Sequence, residues 1–187
     1  MKYLKKCFHG AELNKKGIRF VLLTSTCYFH VGGFIGPLRI TAEAGTFLFN
    51  HGSDIDESNP TDVLYKQIDQ FKPTVLIMGS HHLVLLSQQG PKDETLDLGS
   101  VLIAFPAGST VPPNTHDYLK KKFMNLSNTM NGYGMTEIVG LWAITVSTDT
   151  KCLGGVQPGS IVKIVEMESG KVLGPNEVIS FKLSKKR

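Results

Sequence analysis

The sequence predicts an α/β fold: a partial parallel sheet with helical crossovers, followed by a β-rich C-terminal tail. Three observations support this prediction. Short apolar runs of strand length alternate with amphipathic helical segments between residues 18 and 126. From residue 141 onward, strand patterns dominate. No apolar run approaches the roughly 18–20 residues that cross a bilayer, so no transmembrane segment is expected.

The predicted strands are short and apolar. The run Ile18–Leu23 is shorter than a buried helix would be, which favours a buried strand. Residues 161–165 alternate between the two faces of a strand ahead of a turn at 168–171, and this pattern predicts a hairpin. The other predicted strands span residues 46–49, 74–78, 98–105 and 141–146.

The clearest predicted helix spans Pro60–Phe71. Pro60 suits the first helical position, Asn59 can cap it, and the apolar residues recur at helical spacing. Ser80 is predicted to cap a helix over residues 80–89. The remaining helices are expected at residues 112–126 and, after a glycine-containing turn, between residues 28 and 45. Ligands of such parallel sheets bind at the carboxyl ends of the strands.

Composition excludes several classes of protein. The 187 residues are 41% hydrophobic and 19% charged, which fits a packed core and argues against global disorder. The net charge of +4 arises at the two ends, because residues 20–181 carry 10 basic and 15 acidic residues. A nucleic-acid partner is therefore not expected. Three scattered cysteines and a start without an apolar stretch predict a reduced, intracellular protein.

The most informative segment is Asn131–Glu137. Its two glycines let the backbone turn sharply and approach a ligand, and Tyr133 can stack on a base. The Thr136 hydroxyl can donate to a phosphate oxygen, and Glu137 is a hard oxygen ligand suited to Mg²⁺. Chemistry alone leaves a second interpretation open, namely a structural turn with a Thr-Glu cap at a helix start.

The pentapeptide at residues 133–137, Tyr-Gly-Met-Thr-Glu, resembles the signature of the adenylate-forming (AMP-binding) superfamily. This superfamily includes acyl-CoA synthetases, 4-coumarate–CoA ligases and luciferases. Residues 27–33 resemble its Phe-His-x-x-Gly segment, and residues 107–109 stand where its adenine-contact loop is found. The stretches 153–159 and 169–177 are similar to those that follow the signature. The resemblance implies that this chain forms part of the parallel sheet of the large N-terminal domain of these enzymes.

The resemblance implies roles for particular residues. Thr136 and Glu137 would be catalytic, with Glu137 also holding Mg²⁺, and Phe29, His30 and Gly33 would line the acyl pocket. The AMP-binding residues would be Ala107, Gly108, Ser109, Gly132, Tyr133, Gly134, Met135 and Thr136. The implied ligands are ATP or AMP with Mg²⁺, a small-molecule carboxylic acid, and CoA as co-substrate. The reaction would be adenylation of the acid followed by thioester formation.

Two histidine segments have simpler interpretations. His30 could be a buried histidine that is hydrogen-bonded to the backbone. His81 and His82 could suggest a metal pair, but adjacent helical residues rarely face each other, so surface residues at a helix start are expected.

We expect the domain to span residues 19–177, between a basic N-terminal extension at 1–18 and a divergent basic tail at 178–187. The family's phosphate loop, ending Pro-Lys-Gly, and its lysine-bearing C-terminal domain have no counterpart in the sequence. The chain is therefore expected to be a fragment that is inactive alone. The alternative is a non-catalytic module that binds AMP or an acyl ligand. A cytoplasmic or peroxisomal location is expected, although the C-terminus lacks Ser-Lys-Leu.

Overall fold

A computed structural model describes most of the chain. The described residues are 13, 15–26, 29–49, 60–138, 140–146, 153–156, 161–174 and 177. The predicted Asn59 cap therefore lies outside them, as does the whole of the predicted tail at residues 178–187. No helix among the described residues is long and apolar enough to cross a membrane.

The described strands form one sheet in the order β2-β1-β3-β4-β5-β6-β7. The first five of these strands are parallel neighbours, and β6 and β7 are added in antiparallel orientation. This arrangement confirms the predicted α/β class with a parallel sheet. The strands are β1 (Val21–Thr24), β2 (Thr46–Phe49), β3 (Val75–Gly79), β4 (Ile103–Ala107), β5 (Asn128–Met135), β6 (Gly140–Val146) and β7 (Gly155–Val156).

Among the described residues, four helices connect the parallel strands. They are α1 (Val31–Ala42), α2 (Pro60–Phe71), α3 (Ser80–Gln88) and α4 (Thr115–Lys122). A short 3-10 turn, Thr136–Ile138, separates β5 from β6. Further along the chain, an isolated antiparallel bridge joins Val165 to Val172, around the turn that the sequence predicted.

The helices cover both faces of the sheet, and the alternation of strand side chains explains how. On one face, Leu23, Leu76 and Ala104 pack with apolar side chains from α2, α3 and α4. On the other face, Leu22, Val75, Phe105 and Met130 pack with Ile40 of α1. Strands β2 and β3 flank β1. The crossover from β1 to β2 and the next crossover, from β2 to β3, therefore run in opposite directions across the sheet.

Helix α1 approaches the sheet closely at Gly36. A Cβ at this position would lie 2.8 Å from the Phe47 Cε2 atom of β2, so with any larger residue either the Phe47 ring or the helix would have to shift. Pro37 lies inside the same helix, and the Thr41 hydroxyl donates to its carbonyl oxygen at 2.8 Å. The helix that was predicted between residues 28 and 45 is therefore present, and it continues past Pro37.

Some predicted elements are shorter in the structure, and a strand and a helix differ most from their predicted bounds. Strand β4 begins at Ile103 rather than residue 98, and α4 spans Thr115–Lys122 rather than 112–126. In both cases the extra apolar residues are buried outside a regular element. Val101, Phe123 and Leu126 belong to the core although none of them lies in a strand or helix.

Candidate functional site

The segment Asn131–Met135 lies in strand β5, so the prediction that its glycines form a sharp turn is wrong. Every residue from Met130 to Met135 has a backbone partner in β6, which stabilises the extended conformation. The register shifts between Tyr133 and Gly134, where Trp142 of β6 is skipped, so the irregularity is a β-bulge in the partner strand. The chain turns only afterwards, in the 3-10 turn at Thr136.

The polar and aromatic side chains of this segment are accessible. Tyr133 is 47% exposed, and Thr136 and Glu137 are exposed on the 3-10 turn. Asn131, at the other end of the segment, is buried. The ring, hydroxyl and carboxylate that the sequence singled out are therefore available to a ligand at the carboxyl end of β5.

The second predicted AMP segment, Ala107–Ser109, begins at the carboxyl end of the neighbouring strand β4. Gly108 has a φ of 93°, a left-handed conformation that favours glycine. Backbone pairing between β4 and β5 ends at Ala104↔Thr129, although β4 continues to Ala107. Pro106 lies in this last part of β4. Since proline has no N–H for a ladder hydrogen bond, it suits a strand with one unpaired side.

Ser80 fixes the backbone of this segment. The expected helix cap is wrong, because the N-cap residue of α3 is Gly79 and no side chain caps it. The Ser80 hydroxyl, which is only 5% exposed, instead donates to the carbonyl oxygens of Ala107 (3.2 Å) and Ser109. It also accepts from the Ser109 amide at 3.3 Å. One side chain thus holds both ends of the 107–109 segment.

The predicted acyl-pocket residues lie at the start of α1. Phe29 is 92% exposed and Gly33 is buried in the first turn of the helix. His30 is exposed, and its Nδ1 accepts from the Gly32 amide at 3.1 Å, so it caps the helix. The interpretation of His30 as a histidine bonded to backbone is half right, because the bond exists but the side chain is not buried.

A third group of polar residues at this edge was not predicted as part of a site. Ser25, directly after β1, has its Oγ 3.0 Å from His82 Nδ1 and accepts from the Gly79 amide at 3.3 Å. The His81 and His82 rings lie 3.9 Å apart, so these adjacent side chains do point together. Burial, followed by the neighbouring His81, lowers the pKa of His82 below its usual value. The sequence signal that could have indicated this group is the presence of polar residues directly after β1 and shortly after β3.

These groups share one edge of the molecule, because the carboxyl ends of parallel strands lie on the same side of a sheet. In strand order, Ser25 and the α1 start follow β1, the histidine pair follows β3, Ala107–Ser109 ends β4, and the Tyr133–Glu137 segment ends β5. No cluster of three or more His, Cys, Asp or Glu side chains occurs among the described residues. A single carboxylate such as Glu137 fits Mg²⁺ that is held mainly through nucleotide phosphates.

Comparison with known proteins identifies the family. The model of the family described as AMP-binding enzyme matches residues 3–178, so the chain belongs to the AMP-binding enzyme family. This membership confirms the resemblance that the motifs indicated. Luciferin 4-monooxygenase of Photuris pensylvanica is 34% identical over 86 residues, which are 45% of this chain and 16% of that protein.

Solved structures show the same fold. The luciferase-like enzyme of the mealworm Zophobas morio matches 84% of this chain and 37% of its own, with a TM-score of 0.69 and 24% identity. O-succinylbenzoate coenzyme A synthetase of Bacillus subtilis, in complex with AMP, matches 89% of this chain and 33% of its own, with a TM-score of 0.65 and 15% identity. The same synthetase has also been solved with ATP and a magnesium ion. The chain thus spans well under half the length of these relatives.

Proposed function

We propose that this chain is part of an adenylate-forming ligase and that it binds AMP at the carboxyl edge of its sheet. The observation that carries the proposal is the placement of the two AMP segments. The first segment, residues 107–109, begins at the end of β4, and the second, residues 131–137, runs from β5 into the 3-10 turn. The backbone pairing between these neighbouring strands ends before either segment begins. A ligand between the two segments would meet backbone from one side and the accessible Tyr133 ring from the other.

Each predicted AMP contact has a chemical rationale. The Tyr133 ring would stack on the adenine base, and such stacking is worth about 1–3 kcal/mol. The Thr136 hydroxyl would donate to the α-phosphate, and Glu137 would hold Mg²⁺ bridged to the phosphates. In the whole protein these groups would stabilise the charge that develops when a carboxylate attacks the α-phosphate. Ala107–Ser109 would contact the adenine through backbone groups.

The finer assignment is an acid–thiol ligase that passes the acyl group to CoA. It is supported by the solved CoA synthetase and ligase structures among the structural neighbours, whose substrates belong to those proteins. The acyl substrate would approach the start of α1, where Phe29, His30 and Gly33 lie. The division into an extension, a domain and a tail stays a prediction, as does the cytoplasmic or peroxisomal compartment.

Calorimetric titration of the full chain with AMP tests the proposal. We expect saturable binding that Thr136→Ala weakens by about 1.5–3 kcal/mol, the worth of a hydrogen bond to a charged group. Thr95→Ala is a matched control, because Thr95 lies in the segment that precedes β4, at the opposite edge of the sheet. Equal AMP affinity in the two variants would contradict the assigned role of Thr136, and absence of AMP binding would contradict the proposal.

A turnover assay tests the expected inactivity of the chain alone. If the chain binds AMP and an acyl-adenylate analogue but releases no pyrophosphate from ATP and an acid, that expectation holds. Pyrophosphate release by the chain alone would instead show that the described edge is sufficient for adenylation.

A further inference from the structure

The side chains of Ser25, His81 and His82 form a polar cluster that the AMP contacts do not use. Ser25 Oγ lies 3.0 Å from His82 Nδ1, and the two imidazole rings have centroids 3.9 Å apart with their planes tilted by 40°. His81 is exposed, and Ser25 and His82 are partly exposed. The cluster is therefore reachable by a ligand and is not part of the packed core.

The cluster has hydrogen-bonding capacity left for a ligand. If the Ser25 hydroxyl donates to His82 Nδ1, the N–H of neutral His82 is at Nε2. If His82 Nδ1 donates instead, the Ser25 O–H is left over. Since the Gly79 amide only donates to Ser25 Oγ, one N–H or O–H of the pair has no acceptor within the described part of the chain in either tautomer.

The position of the cluster connects it to the predicted site. Gly79 pairs with Ala107 at the end of β4, and the next residue, Ser80, bonds the 107–109 segment. On its other side, Ser25 leads into the His30 cap of α1. Helices α1 and α3 leave toward opposite faces of the sheet after β1 and β3, so the cluster lies at a topological switch point, where ligands of such sheets bind.

Gly79 leaves room for this arrangement. A Cβ at residue 79 would lie 2.9 Å from His81 Cε1 and 3.5 Å from His82 Nδ1, so any larger residue would displace the His81 ring. The Gly79 backbone has φ −52° and ψ 139°, which any residue adopts. The glycine therefore leaves room for the His81 ring and is not needed for its own conformation.

We infer that the acyl end of the site takes a carboxylic acid that carries a second, hydrogen-bond-accepting oxygen group, in preference to a plain hydrocarbon chain. The inference rests on the proposed function for the identity of the ligand as an acid. The accepting group, a hydroxyl, carbonyl or second carboxylate, would receive the hydrogen that the Ser25–His82 pair does not use. A hydrocarbon chain at the same place would leave that donor without a partner.

Two matched pairs of acids test the inference, titrated into the full chain with and without AMP. The pairs are octanoate with octanedioate, and 3-phenylpropanoate with 3-(4-hydroxyphenyl)propanoate. We expect the oxygen-bearing member to bind roughly 2- to 10-fold more tightly, the affinity equivalent of one net hydrogen bond. His82→Phe should remove the preference. His116→Gln, a histidine substitution at the start of α4, should keep it.

The outcomes separate this inference from the proposed function. If AMP binds but the paired acids bind equally, or no acid binds, the inference is wrong and the AMP site stands. If AMP fails to bind while the oxygen-bearing acids keep an advantage that depends on His82, the inference stands and the AMP site is wrong. A preference that survives His82→Phe would place recognition elsewhere and overturn the inference.

Discussion

Ser80 joins two parts of the candidate site through a single hydroxyl group. The Oγ atom reaches Ala107 and Ser109, which are 27 and 29 residues further along the chain. The sequence placed Ser80 correctly at a helix start but gave it the wrong partner. A local pattern identifies the helix start, whereas the actual partner depends on the pairing of Gly79 with Ala107 between two strands. Such a register cannot be obtained from one segment alone.

Ser80→Ala is expected to weaken AMP binding by about tenfold, because the 107–109 backbone loses the group that holds it. Ser87→Ala is the matched control. Ser87 is 4% exposed on the same helix, and its hydroxyl donates to Val84 within that helix at 2.7 Å. Urea unfolding of both variants would measure their stability, and calorimetry their AMP affinity. Equal AMP affinities would show that Ser80 does not position the segment.

At the level of elements, the predicted bounds of a helix or strand were accurate where the sequence carries a local signal such as a proline. The bounds of α2 agree with the predicted helix, because Pro60 marks its first residue and Pro73 follows its end. Strand β4 and helix α4 were predicted too long, because Val101, Phe123 and Leu126 are buried from irregular segments. An apolar residue indicates burial, and burial alone does not distinguish a strand or helix from the turn that follows it.

We expect the contact between α4 and β5 to make the free energy of unfolding depend on pH. His116 of α4 is buried, with its Nδ1 2.7 Å from the Thr129 hydroxyl of β5. Burial lowers the pKa of His116 below its ordinary value of 6.5, and Lys120 lowers it further against an opposing effect of Asp117. The unfolded chain therefore binds more protons below about pH 6.5, the ordinary pKa of histidine. The contribution of His116 is complete above this pH and is lost as the pH falls.

Urea unfolding at pH 7.5 and pH 5.5 tests this dependence. We expect the wild-type chain to be less stable at pH 5.5 and His116→Gln to show a smaller decrease, with His82 contributing the same sign of change to both. Thr129→Val keeps the imidazole and should keep the decrease. An undiminished decrease in His116→Gln would show that another group causes it.

At the level of the whole molecule, the order of strands and helices along the chain was enough to predict the fold class. The lateral order β2-β1-β3-β4-β5 was not predicted, and it is this order that places Ser25 beside His82 and makes β4 and β5 neighbours. The sequence therefore indicated candidate segments for the site, and their roles stay predictions. It did not show that β5 would leave β4 for β6, because that depends on antiparallel pairing with a strand further along the chain.

The central claim is that the carboxyl edge of the sheet binds an adenine nucleotide between the ends of β4 and β5. Amide chemical shifts of the isotope-labelled full chain, followed by NMR during titration with AMP, test it most directly. The account predicts saturable shifts at residues 107–109 and 131–137, with residues 90–100 at the opposite edge unchanged. Shifts confined to residues 90–100, or no saturable shifts at either edge, would contradict it.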